Sequence, residues 1–272
     1  MTLSEKLQQL KKERKAILAA NFYNFETLSG ILTAASELKL PVILQLSESS
    51  IRYLGIGVAS AMAKNALREY DVEGWLHLDH GSSVSMVKQC LENGFDSVMI
   101  DASEKPFAEN IRITQEAVEL AKKHHVNVEA ELGFVAKLGQ DMTGTFTQPE
   151  EASEFVSATG VDALAVAIGS AHGFYKKAPK LEIELLSRIS KSVTSPLVLH
   201  GSSGIPDAML QEAIRNGICK VNLATETKNA FMRALQETLA GNEEIDLRVV
   251  FPKATQSVVQ LIKNKLEIIN NA

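Results

Sequence analysis

The chain has 272 residues, of which 45% are hydrophobic and 22% charged, and its formal net charge is -5 at pH 7. A chain of this size and composition can bury a large core, so we expect one compact soluble domain over residues 1–272. The acidic balance argues against a nucleic-acid or membrane surface, since both need a basic stripe, but it allows a local site for a small anionic metabolite.

Neither the N-terminal segment nor the cysteines indicate export. Residues 1–18 are polar with a helical pattern and lack the apolar core of a signal peptide. No run of the sequence reaches transmembrane length. Cys90 and Cys219 are isolated thiols in apolar settings, without the spacing or density of a disulfide framework. We therefore expect a reducing cytoplasm as the location.

After an N-terminal helix, short runs rich in Val, Ile and Leu recur, as expected for parallel strands covered on both faces. We predict eight strands, at 16–22, 41–47, 74–80, 97–101, 127–133, 163–169, 196–201 and 220–225. Segments of helical period separate them, for example 26–38, 58–69, 86–93, 111–125, 150–158, 181–192 and 207–216. This alternation predicts an α/β fold, the (β/α)8 TIM barrel. A doubly wound open sheet is the alternative, but residues 21–24 are not a glycine-rich phosphate loop.

A long connection follows the fifth predicted strand. The segment Gly133–Gln148 contains several Gly and Thr residues and no strong apolar period, which predicts a loop. In a barrel this loop would lie on the catalytic face, where long loops often act as lids.

Three of the six histidines follow predicted strands: His80 ends the third, His172 follows the sixth and His200 ends the seventh. Strand C-termini converge on one rim of a barrel, where its active site forms. Three imidazoles there supply three ligands of a tetrahedral zinc site and leave one position for substrate. The alternative is that each histidine is merely a hydrogen-bonded polar residue. His124 and His125 close a helix, and we assign them no chemistry.

Carboxylates accompany these histidines. Asp79 directly precedes His80, which suits a general acid/base or a group that only orients a histidine. Asp101 ends the fourth strand, and Glu131 is the glutamate nearer the rim in the fifth, so both are candidates to orient ligands or to bind a second metal. His77 lies deeper on the same face as Asp79 and is expected to line the barrel or support a ligand.

Small and hydroxyl-bearing residues follow the last two strands. Residues 201–204 read Gly-Ser-Ser-Gly after the seventh strand, and residues 222–225 read Asn-Leu-Ala-Thr before a helix. Backbone N–H groups can approach an anion closely at such positions, and barrel enzymes often bind phosphate at these two strand ends. Gly173, directly after His172, offers one more close backbone approach.

Together these segments resemble the class II fructose- and tagatose-bisphosphate aldolases over almost the whole chain. The matching motifs are LHLDHG (76–81), SVMIDAS (97–103), VEAELG (128–133), VAIGSAHGFYK (166–176), LVLHGSSGIP (197–206) and KVNLATE (220–226). Ala224 stands where fructose-type members tend to have Asp, so the strand-eight motif is more similar to tagatose-type members.

The resemblance implies a lyase that reversibly cleaves a ketose 1-phosphate or 1,6-bisphosphate into dihydroxyacetone phosphate and an aldehyde. It implies a catalytic Zn2+ on His80, His172 and His200, and an Asp79 that moves the C4 hydroxyl proton. It also implies a monovalent cation such as Na+ or K+ near the phosphate, and a homodimer or homotetramer. The substrate-binding candidates are Asn24, Ser47, Arg52, Gly173, Lys176, Gly201, Ser202, Ser203, Asn222, Ala224, Thr225 and Arg248.

Three features depart from the family pattern. Ser202 stands where Gly or Ala is usual, and residues 47–50 read Ser-Glu-Ser-Ser instead of Ser-Glu-Gly-Ala, so each change adds a hydroxyl near the substrate. The lid segment has no glutamate to exchange the proton on the enediolate carbon, and Asp141 is its only acid and thus a second catalytic candidate. With Arg52 and Arg248 as distal anion contacts, the C6 end is open between phosphate, a sulfonate as in sulfofructose-1-phosphate, and another polar group.

Other functions are compatible with parts of the pattern. A zinc-dependent barrel hydrolase explains the histidines but not the phosphate-type turns. A Schiff-base aldolase needs a lysine near a strand's C-terminal end, whereas Lys220 begins the eighth predicted strand. A non-catalytic sugar-phosphate sensor is the third alternative, because a fold does not guarantee activity.

Overall fold

The computed structural model describes residues 1–133, 146–175 and 179–272. The catalytic candidate Asp141, most of the lid segment and the substrate-binding candidate Lys176 lie outside these residues.

Eight parallel strands close into a barrel in chain order. They are β1 (Ile17–Asn21), β2 (Val42–Ser47), β3 (Gly74–Gly81), β4 (Ser97–Ile100), β5 (Asn127–Leu132), β6 (Ala163–Val166), β7 (Leu197–Leu199) and β8 (Ile218–Leu223). The strands β1 and β8 pair with Ala19 opposite Asn222, which closes the sheet. The predicted (β/α)8 barrel is thereby confirmed, and the open sheet is excluded.

Helices surround the barrel. Those in the described part of the chain are α1 (Leu3–Glu13), α2 (Phe25–Leu38), α3 (Glu48–Leu54), α4 (Ile56–Glu69), α5 (Val84–Glu92), α6 (Phe107–Lys122), α7 (Pro149–Thr159), α8 (Ile183–Ser192), α9 (Asp207–Arg215), α10 (Thr225–Leu239) and α11 (Leu247–Asn270). Each predicted helix is present, with ends that differ by a few residues. Among the described residues, no helix combines the length and apolar character needed to cross a membrane.

Some strand ends differ from the predictions. The strand β6 stops at Val166 and β7 at Leu199, earlier than predicted. Beyond these ends the chain turns, and Gly169 and Gly201 have φ values of 103° and 68°, which L side chains rarely adopt. The strand β8 begins at Ile218, so Lys220 lies inside it and not at its start.

The helix α1 closes the N-terminal end of the barrel. Thr2 and Glu5 form a capping box that begins the helix, and its Leu3, Leu7 and Leu10 form one buried face. This face packs in a cluster with residues from the lower barrel, which include Ile17, Ile43, Trp75, Ala163, Val198 and Cys219. A larger apolar cluster includes residues of the strands and of the outer helices. The layer of the barrel next to α1 is therefore apolar, and the predicted site lies toward the opposite end.

The role of α1 predicts the effect of truncating Leu7, which is 1% exposed. We expect Leu7→Ala to lower the free energy of unfolding by about 2–5 kcal/mol, because it removes buried methyl groups and leaves a cavity. Urea denaturation measures this as a lower midpoint with an unchanged slope. The control Lys12→Ala changes an exposed residue of the same helix and should cost less than about 0.5 kcal/mol. Equal losses of unfolding free energy in the two variants would contradict the packing of α1 against the N-terminal end of the barrel.

Candidate active site

The backbone of β3 brings two consecutive residues to the same site. His77 and Asp79 point into the barrel by the two-residue period of a strand, and His80 should therefore face the helices. Instead His80 has a φ of 52°, and the register with β4 shifts between Leu78 and Gly81. This left-handed conformation costs a non-glycine residue roughly 1–2 kcal/mol. It turns His80 toward the barrel rim beside Asp79.

The three predicted histidines come together at this rim. One candidate ligand atom from each of His80, His172 and His200 lies within 4.8 Å of the other two. His200 Nδ1 is 3.0 Å from His80 Nε2, and the three ring centroids are 4.6 to 5.9 Å apart. Three imidazole nitrogens that face one point are a donor set suited to zinc.

Two of these histidines are held by carboxylates through their other ring nitrogen. His80 Nδ1 lies 2.7 Å from Asp101 Oδ2, and His200 Nε2 lies 2.9 Å from Glu129 Oε1. These bonds leave His80 Nε2 and His200 Nδ1 directed toward the shared point, where a bound metal would meet them. Burial alone would lower the pKa of His80, but Asp79 and the bond to Asp101 raise it to about 9, so without a metal this ring is protonated at neutral pH and a metal would displace that proton. Asp101 also accepts bonds from the backbone N–H and the hydroxyl of Ser103, at 3.1 and 2.7 Å.

The electrostatics of the cluster favour a divalent cation. Burial lowers the pKa of His172 to about 3, assisted by His200 and His80, so its nitrogen lone pair is free at neutral pH. Burial also raises the pKa of Glu131 to about 7. Glu131 Oε2 lies 3.3 Å from His200 Nδ1 and has no hydrogen-bond partner within the described chain. A metal ion bound here would supply a positive partner for Glu131, so the residues fit the zinc that the sequence predicts.

Asp79 is held as an ionised acceptor. Asn21 Nδ2 donates to Asp79 Oδ2 at 2.8 Å, and Asn222 Nδ2 donates to Oδ1 at 3.3 Å. Gln45 in turn donates to the side-chain oxygen of Asn21 at 3.0 Å. Burial alone would raise the pKa of Asp79, but the positive charge of the histidine cluster, with His80 the strongest contributor, brings it below its usual value. Asp79 Oδ1 lies 3.9 Å from His80 Nε2, beside the proposed metal.

A cleft of about 680 Å³ opens over these groups. Its lining includes Asn21, Tyr23, Ser47, Ser49, Asp79, His80, Ser82, Asp101, Ser103, Lys105, Glu131, His172, Ala224, Thr225 and Lys228. Its volume is in the range of small-molecule sites. A second cavity, of about 810 Å³, lies around Met1 and Trp75 at the opposite end of the barrel, away from the histidines.

The turns after β6 and β7 pack closely. A Cβ on Gly201 would lie 2.4 Å from Ala171 O, so only glycine fits there. The hydroxyl of Tyr175 accepts a bond from Ala171 N at 2.7 Å and donates to Gly201 O at 2.8 Å, which joins the two turns. Beside them, Ala224 precedes α10 and offers no side-chain cap, so this helix start suits an anion.

The predicted hydroxyls serve two different purposes. Ser47, Ser49 and Thr225 line the cleft, with Ser47 Oγ and Ser49 Oγ 2.9 Å apart. Ser202 and Ser203 are both buried. Ser202 Oγ donates to the main-chain oxygen of the strand β8 at 2.6 Å, and Ser203 Oγ accepts a backbone N–H from the first turn of α10 at 3.3 Å. Ser202, where the sequence differs from the family pattern, therefore links the turn after β7 to β8 by a hydrogen bond.

Of the substrate-binding candidates, Gly173, Gly201, Ser202, Ser203 and Asn222 lie beside the cleft without being part of its described lining, and Asn24, Arg52 and Arg248 have other partners. Asn24 caps α2 and accepts a bond from the backbone of Thr27 at 3.0 Å. Arg52 pairs with Glu48 at 3.2 Å, and the 90% exposed Arg248 side chain pairs with Asp246 at 2.8 Å. Both arginines remain predictions, since nothing within the described chain places them against the cleft.

Two cations that the sequence analysis missed line the cleft: Lys105 and Lys228. Lys228 Nζ lies 5.4 Å from the centroid of the Tyr23 ring, within cation–π range. A signal was available, because Lys228 lies in the first turn of α10, where the helix dipole disfavours a cation. Its position is explained if it meets an anion in the cleft.

Histidines and carboxylates that gather at one rim of a closed barrel are compatible with a metal-dependent enzyme of small molecules. The family model described as "Fructose-bisphosphate aldolase class-II" matches residues 1–272. The chain therefore belongs to the class II fructose-bisphosphate aldolase family, and it is a lyase of the aldolase type.

Individual relatives agree with this assignment. The chain is 40% identical to a "Probable fructose-bisphosphate aldolase" of Bacillus subtilis (strain 168), over 98% of this chain and 96% of the relative. The crystal structure of the YdjI aldolase from Escherichia coli K12 is 33% identical with a TM-score of 0.87, over 98% of this chain and 96% of that one. A putative fructose-1,6-biphosphate aldolase from Coccidioides immitis is 28% identical with a TM-score of 0.89, over 97% and 94%.

The histidine cluster predicts how the protein responds to zinc. At zinc concentrations near 100 times the Kd, we expect the wild type to gain about 2.7 kcal/mol of stability. Thermal denaturation should show this as a rise in Tm of roughly 5–10 °C over the chelated protein. His80→Ala, His172→Ala and His200→Ala should each lose most of the rise, whereas the exposed His124→Ala should keep it. A full zinc response in any of the three cluster variants would argue against its role as a ligand.

Proposed function

We propose that this aldolase cleaves a ketose 1-phosphate or 1,6-bisphosphate of the tagatose or fructose type to dihydroxyacetone phosphate and an aldehyde. The observation that carries the proposal is the juxtaposition, at one rim, of a zinc-type histidine cluster, the ionised Asp79 and the start of α10, whose N-cap residue Ala224 provides no side-chain cap. The histidine cluster suits the C2 carbonyl of the ketose, Asp79 suits its C4 hydroxyl, and the start of α10 suits its phosphate.

Asp79 carries the proton transfer in this proposal. It accepts the C4 hydroxyl proton, the C3–C4 bond breaks and the C4 oxygen becomes the aldehyde carbonyl. When bound at His80, His172 and His200, zinc supplies Lewis-acid polarisation of the C2 carbonyl, which stabilises the electron pair released toward C3. The amides of Asn21 and Asn222 orient the carboxylate for this step. In synthesis Asp79 returns the proton, and Asp141 remains the candidate for protonating C3.

The C1 phosphate is proposed to lie against the turns after β6 and β7 and the start of α10. Gly173 and Gly201 allow close backbone approach, and both have positive φ values, 105° and 68°. A fixed phosphate orients the reacting carbons and lowers the entropic part of the barrier. A Na+ or K+ ion near this phosphate belongs to the same proposal. Ala224 lines the cleft without the carboxylate of fructose-type members, which supports the tagatose-type assignment.

The distal end of the substrate is proposed to meet the hydroxyl-rich side of the cleft. Ser47, Ser49 and Ser82 line that side, and the 2.6 Å bond from Ser82 N to Glu48 ties the turn after β3 to the start of α3. These hydroxyls suit a phosphate, and they suit the alternative substrate, a ketose 1-phosphate with a sulfonate or another polar group at C6. The cytoplasmic location remains a prediction from the isolated cysteines, and the homodimer or homotetramer remains a prediction from the family resemblance.

Replacing the proposed proton acceptor tests the reaction. We expect Asp79→Asn to lower kcat for retro-aldol cleavage by about 100- to 10,000-fold, because an amide cannot accept the C4 proton. Zinc content should stay the same, since Asp79 is not a proposed ligand. The control Asp71→Asn changes an exposed aspartate with a φ of 50°, a conformation that asparagine tolerates. Near-normal turnover by Asp79→Asn would sink the proposed role.

Substrate identity is tested by a cleavage assay with and without chelator. The substrates are tagatose and fructose 1,6-bisphosphates, a 6-sulfonated ketose 1-phosphate and a ketose 1-phosphate with a neutral C6 hydroxyl. We expect cleavage to stop with chelator and to return with zinc. Phosphoester hydrolysis without carbon–carbon cleavage would instead support the hydrolase alternative.

The same substrates test Lys228. We expect Lys228→Met to raise KM for the preferred anionic substrate by about 10-fold or more with a smaller change in kcat, because one charged contact worth about 1.4 kcal/mol is lost. If the KM change disappears for the substrate with a neutral C6, Lys228 binds the distal group; if it persists, Lys228 binds the C1 phosphate. Lys12→Met, far from the cleft, is the control. An unchanged KM for all substrates would exclude Lys228 from binding.

A further inference from the structure

A charged network lies inside the barrel beneath the histidine cluster. Lys220, Glu129 and His77 are 0%, 1% and 0% exposed. Lys220 Nζ lies 2.7 Å from Glu129 Oε2 and 3.4 Å from His77 Nε2. The proton transfer proposed above uses none of these three residues. Burying a charged lysine and a glutamate is costly unless the two are paired, so their presence at this depth calls for a reason.

Glu129 connects the lysine to a proposed zinc ligand. Its two carboxylate oxygens point to opposite sides: Oε1 accepts from His200 Nε2 at 2.9 Å, and Oε2 accepts from Lys220 Nζ at 2.7 Å. The bond to Nε2 places the ring proton on that nitrogen. The lone pair of His200 Nδ1 then faces His80 and is available to a metal. The tautomer of a metal ligand thus depends on the orientation of Glu129.

The lysine is itself held in place from a second side. His77 Nε2 is the acceptor toward Lys220, so His77 Nδ1 donates to Ser97 Oγ at 2.7 Å. Asn127 Nδ2 donates to the same hydroxyl at 2.9 Å. His77, Ser97 and Asn127 are register partners on β3, β4 and β5, so adjacent strands fix this arrangement. The lysine has little freedom to leave Glu129.

The position of Lys220 excludes direct contact with substrate. Lys220 lies in mid-strand on β8, one two-residue step below Asn222, which reaches Asp79. The cleft, as far as its lining is described, does not include Lys220. It can influence the reaction only through its neighbours.

We propose that Lys220 is a positioning residue for the metal site: by pairing with Glu129, it fixes the orientation and tautomer of the zinc ligand His200. The inference rests on the proposed zinc site and assigns no chemical step to the lysine. Without the ammonium, the buried carboxylate loses its counter-charge. It then no longer holds His200 Nε2–H in a single orientation.

Zinc affinity tests this role directly. Lys220→Met keeps the approximate length of the side chain and removes its charge. We expect the zinc Kd, measured by competition with a chromophoric chelator on purified protein, to weaken by about 10- to 100-fold, the usual effect of losing a partner that orients a ligand. Lys265→Met is the matched control, because Lys265 is also buried, at 7% exposure, and pairs with Glu226 at 3.2 Å away from the histidines. It should reduce stability without changing the zinc Kd.

A double-mutant cycle separates positioning from a merely structural role. If Lys220 acts through Glu129, Lys220→Met combined with Glu129→Gln should have the same zinc Kd as Glu129→Gln alone. The double variant buries no unpaired charge, so it remains measurable even if Lys220→Met alone does not fold. If the two substitutions weaken zinc binding additively, the inference is overturned.

The outcomes also separate this inference from the proposed function. A wild type that binds no zinc would overturn the zinc proposal and this inference with it. A wild type that binds zinc, together with a folded Lys220→Met of unchanged zinc Kd, would overturn the inference alone and leave the proposed aldol cleavage intact.

Discussion

The structure depends on how a closed barrel accommodates buried charge. Closure removes water from the interior, so any ionised group there needs a partner inside the protein. The barrel meets this constraint in layers. At the lower end α1 seals an apolar layer, and above it the 2.7 Å pair of Lys220 and Glu129 balances one charge with another. At the open rim, Glu131 Oε2 has no hydrogen-bond partner within the described chain, and the proposed metal would complete the charge balance there.

The same rim requires a departure from regular strand geometry. A strand offers only every second residue to the barrel interior, yet this site uses Asp79 and His80 in succession. The positive φ of His80 resolves the conflict, and its bond to Asp101 at 2.7 Å holds the ring once it is turned inward. Backbone strain at such a position is tolerated because the surrounding contacts over-determine it. The strain thus places the proposed proton acceptor Asp79 directly beside the proposed metal ligand His80.

The sequence predicted the features that are set by position along the chain, and it missed those that depend on contacts between distant residues. The barrel, the histidine cluster and the acid at residue 79 were predictable because strand C-termini converge, so position along the chain fixes position in space. The lysine at 220 was misplaced because its burial depends on a glutamate 91 residues away, a pairing that no local pattern encodes. The hydroxyl of Ser202 and the cation of Lys228 depend on side-chain direction after a turn, which residue type alone does not specify. Asn24 caps α2 through its side-chain oxygen, and its assignment to substrate remains a prediction.

The distribution of charge in the cleft explains how an acidic chain can accept an anionic substrate. The net charge of -5 repels a sugar phosphate at long range, so attraction must be local. The acids Asp79, Asp101 and Glu131 gather around the histidines, where the proposed zinc ion would neutralise part of their charge, while Lys228 and the start of α10 lie along another part of the lining. A ketose phosphate has the matching asymmetry, with a carbonyl and hydroxyls on one side and an anion on the other. In the proposed reaction, only one orientation places the carbonyl at the metal site and the phosphate at the start of α10, so the electrostatics that would permit binding would also select the reactive alignment.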